Sequence, residues 1–105
     1  MVRMNKVNEK WKYVQQEAKK RGLKIKPDKR LGQTPYRACH PLVEKMVGVK
    51  NKGKVLTYDP KIVKTKRMLV MDMNHEMIEM DLMRKGKTYK QAHRVANRKQ
   101  RSFDI

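Results

Sequence analysis

A chain of 105 residues has the length of one domain, taken here as a single basic domain over 1–105, with room for only a modest core. Its 28 Lys and Arg against 10 Asp and Glu leave a formal net charge of +18, a surplus that repels itself and favours a polyanionic partner. The lone Cys39 excludes an internal disulfide framework, and no apolar run approaches the ~18 residues of a membrane span.

A single cysteine suits a reducing compartment, and residues 1–10 carry no apolar stretch of signal-peptide type. The expected setting is therefore cytoplasmic, nucleoid-associated or viral. Adaptation to heat would raise Lys and Glu together, but Glu is scarce here, so nucleic acid is the partner the charge favours. The apolar residues recur at helical spacing, which argues for a folded chain.

Residues 5–21 read as an amphipathic helix. Val7, Trp11, Val14 and Ala18 form one stripe, extended backwards by Met4, and Gly22 suits the C-terminal stop. Residues 23–41 carry Pro27, Gly32, Pro35 and Pro41 and read as an irregular connection. Leu42–Val49 fits either helix or strand. Lys50–Gly53 has turn chemistry, and 54–58 looks like a short strand, so a hairpin of 46–49 with 55–58 is expected.

A second long helix is expected over 66–84. Met68, Met71, His75, Ile78 and Leu82 alternate at three and four, and Leu69, Met73, Met80 and Met83 widen the apolar face. Arg84-Lys85-Gly86 suits its C-terminus. Thr88 and Gln91 fit a capping box, which predicts a third helix from 89 to about 100. The fold class is thus α+β and mainly helical: three helices with a small β-hairpin, helices two and three being a short-linked antiparallel pair or a helix-turn-helix-like corner.

The basic residues span the chain. Lys19, Lys20, Arg21, Lys24, Lys26, Lys29, Arg30, Lys50, Lys52 and Lys54 suit phosphate contacts from loops and helix ends. On the third helix, Lys90, Arg94, Asn97, Arg98 and Arg101 lie largely on the side away from its apolar stripe, where Arg and Asn can also read base edges. The leading reading is a non-enzymatic protein that binds DNA or RNA through this distributed surface. The Met-rich second helix is a further candidate surface for a protein partner.

One segment breaks the basic background. Asp72, Glu76, Glu79 and Asp81 fall within ten positions that hold no Lys or Arg. At ~100° per residue, Asp72, His75 and Glu79 share one face, and that face is the apolar one. Buried carboxylates need partners, so these acids either neutralise basic neighbours or form a site. His75 and Glu79, four apart, can reach one metal ion from one helical turn, and an antiparallel pairing brings His93 level with Glu79. Cys39-His40 is a further Cys/His pair that could complete a zinc site with His75 and His93.

The runs 55–60, Asn74-His75-Glu76-Met77-Ile78-Glu79 and Ala92-His93-Arg94-Val95-Ala96 resemble the edge-strand, active-helix, support-helix order of very small zincin-like metallopeptidases of the minigluzincin type, and similar arrangements in small archaeal and phage proteins. The resemblance covers 55–98. It implies zinc as cofactor, His75 as first ligand, Glu76 as catalytic base, Glu79 where the second histidine would stand, and His93 as a downstream ligand. The glutamate at 79 departs from the peptidase motif. The alternative function is therefore a zincin-like metal-binding protein, which includes an inactive metallopeptidase relative.

Overall fold

The computed structural model describes residues 2–48 and 54–103. The elements run α1 (Val2–Lys20), β1 (Lys24–Pro27), a 3-10 turn (Lys29–Gln33), β2 (Ala38–Cys39), α2 (Pro41–Val47), β3 (Val55–Tyr58), α3 (Lys66–Arg84) and α4 (Tyr89–Phe103). The class is mainly helical α+β, as expected. The three long helices fall where periodicity and capping residues place them. Thr88 and Gln91 form the reciprocal box: the Thr88 amide donates to Gln91 Oε1 (3.0 Å) and the Gln91 amide to Thr88 Oγ1 (3.2 Å). Thr88→Ala should cost about 1 kcal/mol and lower Tm by roughly 4–8 °C, measurable by urea and thermal denaturation.

Two local expectations change. Residues 41–47 form a fourth helix, so Met46 and Val47 are helical and do not make a hairpin with β3. His40 caps this helix, Pro41 sits in its first turn, and Gly48 leaves it at φ 76°. End signals at both termini decide a segment whose apolar pattern is too short to do so. The expected turn at 50–53 and the contacts of Lys50 and Lys52 lie outside the described residues.

The irregular connection also contains two strands. The sheet order is β1-β3-β2, with Lys24 opposite Val55 in the parallel pair and Ala38 opposite Tyr58 in the antiparallel pair. β1 has almost no apolar alternation, being largely exposed. It is a strand because central β3, with Leu56 and Thr57 buried, supplies its hydrogen bonds from a register 31 residues further along. That signal is tertiary, not local.

α3 is the centre of the molecule. α1 packs on one flank, α4 on another, and the sheet covers much of the rest. Val70, Met73, Met77 and Met80 join Val14, Ala18, Leu23, Ala38 and Leu56 in the main core. Each Val, Leu or Met among them contributes roughly 1.5–3 kcal/mol when fully buried. That burial offsets the cost of holding Asp72, Asn74, His75, Glu76 and Glu79 on the same helix, all of them buried. The methionine stripe expected as a partner surface therefore faces largely inward.

α4 runs antiparallel to α3. Met83 and Tyr89 share one cluster, Glu79 meets His93, and His75 meets Gln100, so depth falls on one helix as it rises on the other. Gly86 makes the reversal at φ 100°, the left-handed region open to glycine. Arg21 and Asp81 tie α1 to α3, with Nη2 to Oδ2 at 2.5 Å.

Candidate metal centre

The antiparallel pairing brings three of the sequence candidates to one point. His75 Nε2 lies 3.2 Å from Glu79 Oε2 and 3.3 Å from His93 Nδ1, and His93 Nδ1 lies 2.8 Å from Glu79 Oε2. His75 and Glu79 reach it from successive turns of α3, and His93 arrives from the first turns of α4. Tyr89 stacks on the His93 ring at 5.4 Å between centroids and limits its rotation.

Proton counting at this triangle is informative. His75 Nδ1 donates to Gln100 Oε1 at 2.9 Å, which places the ring proton on that side and turns the Nε2 lone pair inward. His93 has one proton to give, and Glu79 has none when ionised. The neutral arrangement thus sets more lone pairs than protons against one another. An imidazolium or a metal ion satisfies it; hydrogen bonding between neutral rings does not.

The spacing fits an ion. Donors about 2.0–2.1 Å from a tetrahedral zinc stand about 3.3 Å apart, close to the 2.8–3.3 Å edges seen here. Two imidazoles and one carboxylate form a donor set that zinc hydrolases use when the fourth position is kept open. The Gln100 contact is the outer-shell bond that orients such a ligand histidine.

Glu79 is the hub. Its burial raises the carboxyl, but the close contacts with His40, His75 and His93 outweigh that and bring it down to about 2. Glu76 behaves in the opposite way. Burial, then the nearby Glu79 and Asp72 carboxylates, push it well above 4.5 against one bond to the His40 backbone. Its Oε1 is buried with no hydrogen-bond partner, and its Oε2 stands 4.0 Å from His75 Nε2. A buried carboxyl with one oxygen left unpaired beside a ligand triangle is poor for stability and well suited to receive a proton.

The triangle opens on a cleft of about 420 Å³. Its walls include Tyr36, Arg37 and Ala38 from the β2 edge and Asn97 from α4. Arg37 straddles the rim, with Nε and Nη2 both 2.9 Å from Asp72 Oδ2. Burial raises Asp72 and the Arg37 guanidinium pulls it back in part.

Cys39 does not join the site. It packs with Leu31 and Val43 in a second small cluster, and burial pushes its thiol up to about 12. The expected Cys-His-His-Glu set is therefore not assembled. His40 points the other way along the strand and meets Glu79 Oε1 at 3.0 Å. His40 as the partner of Glu79, Gln100, and the Arg37–Asp72 pair were not legible in the sequence. The His40-Pro41 step at a helix start and the seven-residue spacing from His93 to Gln100 were the available signals.

The candidate cations are placed differently from one another. Lys19, Lys24, Lys26, Lys29, Lys54, Lys90, Arg94, Arg98 and Arg101 are exposed, as is Asn97. Lys20 pairs with Glu17, Arg30 with Asp28, and Arg21 with both Glu17 and Asp81. Arg21 is thus committed to the fold. Among the described residues no helix is long and apolar enough to cross a membrane.

Compared with protein-family models, curated proteins and solved structures, the chain matches none.

Proposed function

We propose that this protein is a zinc-binding protein of zincin-like construction with a hydrolytic site, in which His75, Glu79 and His93 hold the ion and Glu76 is the general base. The observation that supports this reading is the three-donor triangle itself, opening on a cleft with an unpartnered buried carboxyl oxygen, Glu76 Oε1, beside it. Zinc in that position supplies Lewis acidity toward a carbonyl or phosphoryl oxygen and makes water more acidic. Glu76 then takes the proton of an attacking water and delivers it to the leaving group. Burial and the neighbouring carboxylates raise its pKa, which makes its ionised form the stronger base. The β2 edge and the Arg37 side chain form the wall along which substrate lies.

The test is a native mass measurement on protein prepared without chelator, followed by zinc addition to stripped protein. One zinc per chain and a rise in Tm are expected. A stripped protein that takes up no zinc, with unchanged Tm, sinks the proposal.

A second reading rests on charge. Lys90, Arg94, Arg98 and Arg101 are all exposed along α4, and none of the ion pairs among the described residues involves them. With a net charge of +18, this face is suited to a nucleic-acid backbone. Replacing these four by glutamine should weaken binding to duplex DNA or structured RNA and flatten the log–log salt slope by about three to four units. Equal binding and slope in the variant would remove α4 from the interface.

A further inference from the structure

Two groups of metal-ligating side chains share Glu79 among the described residues: His75, Glu79 and His93, and the buried His40, Glu76 and Glu79. Taken at face value, Glu79 could bridge two ions. The hydrogen bonds of His40 decide between them.

His40 Nδ1 accepts from the backbone amides of Leu42 (3.2 Å) and Val43 (3.4 Å) in the first turn of α2, the Val43 amide being shared with the His40 carbonyl at 3.1 Å. A ring nitrogen that accepts carries no proton, so the neutral ring's proton is on Nε2. Nε2 faces Glu79 Oε1 at 3.0 Å and donates to it. A ligand histidine needs the reverse: a bare Nε2 and a proton on Nδ1, which would set an N–H against two backbone N–H groups.

We infer that His40 is a positioning residue rather than a ligand: its Nε2–H occupies Glu79 Oε1, leaves Oε2 alone to face His75 and His93, and limits the centre to one ion. The inference deepens the zinc reading and depends on it for its metal arm. Helix capping and carboxylate orientation are joined in one ring. The start of α2 fixes the tautomer, and the tautomer fixes which oxygen of Glu79 is free. His75 receives equivalent support from Gln100 on its far nitrogen, so two of the three ligands are held from behind.

Two measurements test it. In the metal-free protein, long-range 15N–1H NMR should show His40 as the Nε2–H tautomer; a proton on Nδ1 overturns the assignment whether or not zinc binds. In titrations with zinc sulfate against a competing chelator, the wild type should bind one ion per chain, and His40→Asn should bind it 10–100-fold more weakly. Asparagine still caps a helix but is too short to reach Glu79, so far-UV circular dichroism should be preserved. Two ions per chain, or an affinity within twofold of wild type in folded His40→Asn, overturns the proposal. A wild type that takes up no zinc but shows the Nε2–H tautomer refutes the metal reading of the cleft and leaves the His40 clamp on Glu79 in place.

Discussion

Glu79→Gln should abolish stoichiometric zinc binding and, in the metal-free protein, remove the stabilisation that the ionised carboxylate gives above pH 4.5. Both effects follow from one geometry. Oε2 is the only anionic donor of the triangle, and an amide in its place supplies a weak neutral oxygen or a repelling N–H. For wild type, zinc at 100 to 1,000 times its Kd should add about 3–4 kcal/mol, raising Tm by more than ~10 °C. The variant should show no such rise.

The pH dependence has a definite sign. Glu79 falls from 4.5 to about 2 on folding, so its stabilisation is fully present above pH 4.5 and is lost as pH falls through about 2. The span corresponds to roughly 3 kcal/mol. Thermal melts from pH 6 to 2 should therefore show the wild type losing its advantage over Glu79→Gln across that window. Parallel curves for the two proteins would contradict the assignment of Glu79 as the hub.

Glu76→Gln should do the reverse, stabilising the metal-free protein while removing hydrolysis. Folding raises the Glu76 carboxyl well above 4.5, because burial and two neighbouring carboxylates oppose its charge. The unfolded chain ionises first as pH rises, so this group's cost to stability grows from pH 4.5 up to its folded pKa and stays in full above it. Glutamine keeps the shape and cannot ionise. At pH 7 the variant should gain on the order of 1 kcal/mol, or about 4–8 °C in Tm, and the gain should vanish below pH 4.5. Zinc affinity should stay near wild type, while hydrolysis of a peptide or ester probe falls by about 10²–10⁴-fold. A variant less stable than wild type at pH 7 would show that Glu76 is a structural acid with a partner.

The two substitutions also separate the roles of two carboxyls on one helix. Glu79 is held by three histidines and is anionic; Glu76 is held by little and resists ionising. Carboxyls one turn apart thus acquire opposite electrostatics from their surroundings alone. The basic exterior is independent of this. Its ion pairs with Asp28 and Glu17 lie away from the cleft, and Arg37 is the cation that reaches the rim.

The long helices were legible because their signals are local. Val14 and Ala18 on α1, the methionine spacing on α3, and Thr88 with Gln91 at the start of α4 each act within a few residues. The short connector at Gly86 made α3 and α4 antiparallel neighbours, and from that the approach of His93 to Glu79 could be counted out in turns. What the sequence by itself determined is thus the charged shell, the three long helices and three members of the cluster. Only the tertiary structure decided the rest. β1 is a strand because β3 offers it hydrogen bonds, not because its own residues alternate. His40 turns inward and Cys39 away because β2 pairs with β3 in one register, and His40 is proton-bearing at Nε2 because α2 begins there. Contacts 39 and 25 residues apart, His40 to Glu79 and His75 to Gln100, leave no periodic trace in a chain, since side-chain hydrogen bonds depend on where separate elements dock.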